Sequence, residues 1–166
     1  MNYWLIESPF GTLLLVSDGE ALKQLSFINA ANFNPEMNWC KTQDSILKTA
    51  QTQLEEWFVG KRRIFDLPLS PEGTEFQKVI WNQLRKIPYG ETRSYGDLAQ
   101  AINKPTASRA VGAANGKNPI ALIIPCHRVI GADGTLTGYA YGVELKEKLL
   151  ALESQQKISQ NTLQSV

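Results

Sequence analysis

RSYGDLAQAINKPTASRAVGAAN, residues 93–115, holds two helix starts and one stop in a single short stretch. Ser94 followed by Asp97 makes a capping pair, with Leu98, Ala99 and Ile102 behind it. The run ends at Asn103-Lys104-Pro105, because proline cannot continue a helix. Thr106 is then placed to cap a second helix reaching about Asn115. Two short helices meeting at a tight corner outline a helix-turn-helix, whose second member usually lies in a DNA groove. That second helix is almost all small residues around Arg109. Gly112 weakens it unless close approach is needed, and small side chains suit a partner's backbone or tight core packing equally.

Upstream, Thr74 and Gln77 form another capping box. Phe76, Val79, Ile80, Leu84 and Ile87 line one face of a helix over about 75–86, which ends before Pro88. Residues 67–73, LPLSPEG, interrupt any periodicity and mark a domain boundary. Before it, YWLIES, TLLLVS and ALKQLSFI, separated by turns at Pro9-Phe10-Gly11 and Asp18-Gly19, read as three antiparallel strands. A helix from Asp44 to Val59, with Ile46, Leu47, Ala50, Leu54, Trp57 and Phe58 on one side and Gly60 as its stop, covers that sheet. Downstream, IALII over 120–124 reads as a buried strand leading into the turn PCHRVI. Gly131-Ala132-Asp133-Gly134 is a hairpin-type signal, VELKEKLLALE a last helix with Leu145, Leu149, Leu150 and Leu152 apolar, and SQQKISQNTLQSV a frayed polar tail. The fold class is α+β: an N-terminal antiparallel sheet with a covering helix (1–72), a mainly helical, winged-helix-like domain (73–155) and a tail (156–166).

The chain has 166 residues, 43% hydrophobic and 20% charged, with a net charge of +1. That composition excludes disordered and fibrous classes. The start lacks a basic segment followed by an apolar run, and no window approaches the roughly 20 apolar residues of a membrane span, which places the chain in the cytoplasm. Charge is uneven: residues 78–128 carry eight Lys/Arg against two Asp/Glu, a net of +6, whereas residues 1–77 carry six against ten, a net of −4. A cationic middle fits a phosphate-facing surface, and equally a solvated charged face. Cys40 and Cys126 read as free thiols. Two cysteines and one histidine cannot fill a structural zinc site, so neither metal nor cofactor is expected.

The single histidine, His127, directly follows Cys126 in ALIIPCHRVIG, residues 121–131. A thiol is only slightly ionised at neutral pH, so a nucleophilic cysteine needs a base or a cation nearby, and His127 and Arg128 supply both. Neighbours on an extended chain face opposite ways, so the pair communicates through a bent backbone or a water. Asp133, Glu144, Glu147 and Glu153 are the acids available to orient the imidazole, and spacing does not choose among them. A buried structural thiol beside a hydrogen-bonded histidine is the alternative.

PCHRVIG, preceded by SRAVGAANGKNP and followed by TGYAYG and KEKLLALE, resembles the signature of the O6-alkylguanine-DNA alkyltransferases, the methylated-DNA–protein-cysteine methyltransferases, over about residues 74–153. The resemblance implies a monomer that binds duplex DNA through its minor groove, flips out the damaged guanine and moves the alkyl group irreversibly onto a cysteine. It implies Cys126 as acceptor, His127 as base, Glu153 as the carboxylate orienting it and Asn118 as the link from the active-site turn to the helix-turn-helix. Tyr95 matches a phenol acting on the 3′ phosphate and the guanine, Lys146 a lysine near it, and Arg109 the finger filling the gap left by the flipped base. Ser94, Tyr95, Ala110 and Arg128 join Arg109 as DNA-binding residues, and Tyr139, Ala140 and Tyr141 wall the guanine pocket.

This sequence departs from the pattern at Tyr141, where glycine is common; an aromatic ring there favours small alkyl groups. Relatives that only bind lesions carry tryptophan in place of the cysteine, so Cys126 favours chemistry over a non-catalytic lesion-binding role. A cysteine hydrolase is disfavoured by the tandem placing of Cys126 and His127.

Overall fold

The three expected strands form and pair antiparallel, with one shift of register between Val16 and Ser17. A computed structural model describes residues 1–164, with side chains through residue 156. Strands β1 (Asn2–Ser8) and β2 (Gly11–Ser17) pair antiparallel from Asn2 opposite Ser17 to Ser8 opposite Gly11. β2 pairs antiparallel with β3 (Leu22–Ile28), and the two-residue strand β4 (Cys40–Lys41) runs parallel to β1, giving the order β3-β2-β1-β4. Helix α1 (Ser45–Phe58) packs across β1, β2 and β3 through Leu47, Ala50, Leu54, Trp57 and Phe58, all buried. Asp44 caps it, accepting from the Leu47 amide at 2.9 Å, and also accepts from Asn2 and Ser17, which ties the helix start to two strands. Gly60, at φ +81°, turns the chain away where a Cβ would be strained.

The chain divides into two compact units, residues 1–72 with 119–123, and residues 73–118 with 124 onward. The buried strand expected over 120–124 is buried but is not a strand: Leu25 bonds to the Pro119 carbonyl and Ala121 to the Leu25 carbonyl, both at 2.9 Å, making one parallel bridge on the edge of β3. Leu122 then takes the left-handed conformation, φ +68°, which breaks any extension of the pairing.

In the second unit α2 (Glu75–Leu84), α3 (Tyr95–Ala101) and α4 (Ser108–Gly116) pack on one another. Both expected capping boxes are formed, Thr74 with Gln77 and Ser94 with Asp97. Trp81, 2% exposed, donates its indole N–H to the Ala114 carbonyl at 2.8 Å and pins α2 to α4. The corner between α3 and α4 holds Asn103 at φ +59°, a conformation asparagine tolerates. Thr106 does not cap α4. The N-cap is Ala107, without a side-chain bond, because the turn after Pro105 extends one residue further.

Two-residue strands β5 (Arg93–Ser94) and β6 (Val129–Ile130) pair in parallel. The turn at 131–134 closes through the Gly131 amide on the Thr135 carbonyl at 2.9 Å, but no strand follows it. The last helix, α5, runs Val143–Gln164. The frayed tail expected from residue 156 is therefore helical as far as Gln164, in a segment without glycine or proline to stop it; residues 165–166 lie outside the described residues. No helix among the described residues is long and apolar enough to cross a membrane.

Candidate active site

A single turn of 3-10 helix, Cys126–Arg128, is the centre of the site. Pro125 sets the backbone on entry, and the Arg128 amide bonds back to the Pro125 carbonyl at 3.0 Å, so consecutive side chains leave the turn in different directions. Two asparagines hold it from α4 and the residues just after. Asn118 donates to the Ile124 carbonyl at 2.7 Å, and Asn115 to the Cys126 carbonyl at 3.3 Å. The end of α4 is thereby fastened to the backbone that carries the cysteine.

Cys126 is buried among Asn118, Tyr139 and Lys146. Burial pushes its thiol pKa up, against hydrogen bonds from Asn118, its own amide and Tyr139 and against the charge of Lys146. It rests as a thiol. Burial likewise pushes up the phenols of Tyr95 and Tyr139 and pushes down the amine of Lys146. Tyr95 Oη and Lys146 Nζ both donate to the Thr137 carbonyl, each at 3.0 Å, and Lys146 lies 6.0 Å from the Tyr95 ring centre.

His127 leaves the turn on another side, fully buried, with Nε2 at 3.1 and 3.2 Å from the two oxygens of Glu153. Burial lowers its pKa; Glu153 opposes that, and the charges of Arg128 and Lys146 reinforce it. Burial of Glu153 favours its protonation, but hydrogen bonds and charge from His127 and Arg128 outweigh this and hold the carboxyl below the usual range. A neutral imidazole beside an ionised carboxylate donates through Nε2–H and keeps Nδ1 as its basic nitrogen. The trio can thus accept one proton from a neighbouring acid and stabilise the cation that forms.

Residues 75–155 match the family model described as the DNA binding domain of 6-O-methylguanine DNA methyltransferase, and residues 1–71 match the ribonuclease-like domain of the same methyltransferase. The chain belongs to the 6-O-methylguanine DNA methyltransferase family. A methylated-DNA–protein-cysteine methyltransferase of Methanosarcina acetivorans is 52% identical over 154 residues, 92% of this chain and 98% of that protein. One from Haemophilus influenzae is 44% identical, covering 98% of this chain and 91% of its own. The crystal structure of Mycobacterium tuberculosis OGT in complex with DNA superposes with a TM-score of 0.86 at 45% identity, covering 94% of each chain.

Among the expected site residues of this family member, Cys126, His127, Glu153, Asn118, Lys146, Tyr95 and Tyr139 gather around the 3-10 turn. Tyr141 stands edge-on to Tyr139, ring centres 5.5 Å apart, while Ala140 is exposed. Arg109 and Ala110 are exposed together on α4, and Ser94 is half-buried as the cap of α3. A Cβ on Gly112 would lie 3.7 Å from the Tyr95 ring, an ordinary contact, so this glycine is not forced by crowding. Arg128 corrects the sequence reading. It is not a DNA-facing cation: its side chain is buried, with Nε at 2.8 and 3.0 Å from Glu153 and a terminal nitrogen at 2.8 Å from the Ile87 carbonyl. Asn115 was missed, although its three-residue spacing from Asn118 puts both at one side of the end of α4 and is visible in the sequence.

Proposed function

We propose that this protein repairs O6-alkylguanine in duplex DNA by transferring the alkyl group irreversibly to its own Cys126. One observation carries the reading: a buried cysteine shares a single turn with an imidazole whose far nitrogen is held by a buried carboxylate. In the proposed reaction the thiol proton passes to His127 Nδ1 by way of a water, and Glu153 stabilises the resulting imidazolium. The thiolate attacks the alkyl carbon in line. An S–C bond forms as the C–O6 bond breaks, and the electron pair leaves on guanine, which then takes up a proton. Tyr95 supplies a hydrogen bond to the base as charge develops there, exchanging its bond to the Thr137 carbonyl for one to guanine. The thioether product has no easy leaving group, so each molecule acts once.

The exposure of Arg109 and Ala110 together on α4 supports that helix as the minor-groove reader in this proposal, with Arg109 filling the stack as the lesion flips. Tyr139 and Tyr141 wall the pocket and favour small alkyl groups. In this reading the work is done in the cytoplasm.

Intact-mass measurement after incubation with duplex containing O6-methylguanine tests the reading. The protein gains one methyl, about 14 Da, on Cys126, and C126A binds the duplex without gaining mass. Binding without mass gain by the unaltered protein would instead establish a lesion-binding role and refute alkyl transfer.

A further inference from the structure

Arg128 is a cation buried beside the proposed proton relay, bonded directly to Glu153, that the alkyl-transfer mechanism leaves unused. Its guanidinium is spread between two anchors. Nε lies on both oxygens of Glu153, and a terminal nitrogen meets the carbonyl of Ile87, just past the end of α2. The ring of Tyr89 lies 5.6 Å from the guanidinium carbon. The Glu153 carboxylate thus sits between two nitrogen donors, His127 Nε2 on one side and Arg128 Nε on the other.

A carboxylate and an imidazole buried together without a further cation form a pair that gains by taking one extra proton, whichever of the two carries it. Such a pair is a poor base near neutral pH, since its acceptor site is already filled. A guanidinium stays charged at all working pH values, and its rigid fork keeps it against the carboxylate. We infer that Arg128 is a positioning residue whose fixed cation keeps the His127–Glu153 pair free of an extra proton, so that His127 is available to accept the thiol proton of Cys126. The other groups facing the pair are Lys146 from α5, a second cation acting in the same sense, and Cys126 on the turn itself; from the α2 side the turn meets the Ile87 carbonyl and the Tyr89 ring. This role presupposes the alkyl transfer proposed above.

His127 is the chain's only histidine, so its titration can be followed by NMR without overlap. The imidazole shifts of His127 and the carboxyl carbon of Glu153 are recorded against pH for the unaltered protein, R128Q and R128K, alongside single-turnover methyl transfer from O6-methylguanine duplex. In R128Q the pair takes up its proton at a pH higher by about one unit or more, and the acid limb of the transfer rate moves with it. R128K retains the charge and therefore the midpoint, while transferring more slowly because an ammonium cannot span Glu153 and Ile87. A lower rate in R128Q with an unmoved midpoint overturns the inference. Should R128Q not fold, a raised midpoint in R128K overturns it equally. Absence of methyl transfer by the unaltered protein sinks the proposed function yet leaves the titration readable, so the two failures are distinguishable.

Discussion

Acidification should destabilise this protein through one residue before its carboxylates take part. His127 is fully buried and its pKa is pushed below the ordinary 6.5, chiefly by burial, with Arg128 and Lys146 adding to the effect and Glu153 opposing it. The unfolded chain takes a proton on this histidine near pH 6.5, while the folded chain resists until a lower pH. In the interval the unfolded state binds more protons, so stability is complete above the unfolded pKa and falls as pH drops toward the folded one. The slope is at most about 1.4 kcal/mol per pH unit for one proton. Because the unfolded site is only half-protonated at its pKa, the loss accumulated from about pH 7.5 to about pH 5.5 is at most about that same 1.4 kcal/mol. Glu153 acts in a separate window: its stabilisation is present above the ordinary carboxyl value of 4.5 and is lost as pH falls through its lowered folded value. Urea unfolding followed by circular dichroism across this range, compared between the unaltered protein and H127Q, isolates the term. H127Q is less stable throughout, but its stability stays flat over the interval where the unaltered protein declines. An equal decline in both proteins, or a gain on acidification in the unaltered one, would refute the reasoning.

Three further perturbations probe separate parts of the molecule. W81F removes the indole donor from the Ala114 carbonyl, which keeps the Lys117 amide at 3.2 Å, and leaves a void beside it, so urea unfolding should show a loss of about 2 kcal/mol; a change within experimental error would mean that α2 and α4 are held together by other contacts. Y141G removes the ring standing edge-on to Tyr139, and transfer from O6-benzylguanine, timed by intact mass, should quicken by about tenfold; an unaltered rate would place the size limit elsewhere in the pocket. R109A should slow methyl transfer from lesion duplex by about tenfold or more while changing affinity for undamaged duplex far less, and equal losses on both would exclude a role in flipping.

The segments whose stability is decided within a few residues were legible in the chain alone. Asp44 and its apolar stripe, the capping boxes at Thr74 and Ser94, and the stop at Asn103-Lys104-Pro105 are all interactions within one or two turns, and each forms where the pattern puts it. PCHRV and its flanking motifs likewise identified the family without coordinates, because that run of residues is specific enough to stand out in the chain alone. The partner of the imidazole was not legible from spacing: four acids were available, and resemblance alone pointed to Glu153. Folding brings it to His127 across 26 residues of sequence, and brings Arg128 to the Ile87 carbonyl across 41. The same holds for residues 120–124, whose apolar run reads as a strand but is bridged to β3 at a single point. It holds too for Lys146 and Glu153, which share the inward face of α5 with Leu149 although their charge argues for solvent. Local propensity is set by neighbours along the chain, whereas which charge is buried, and against what, depends on surfaces that only packing brings together.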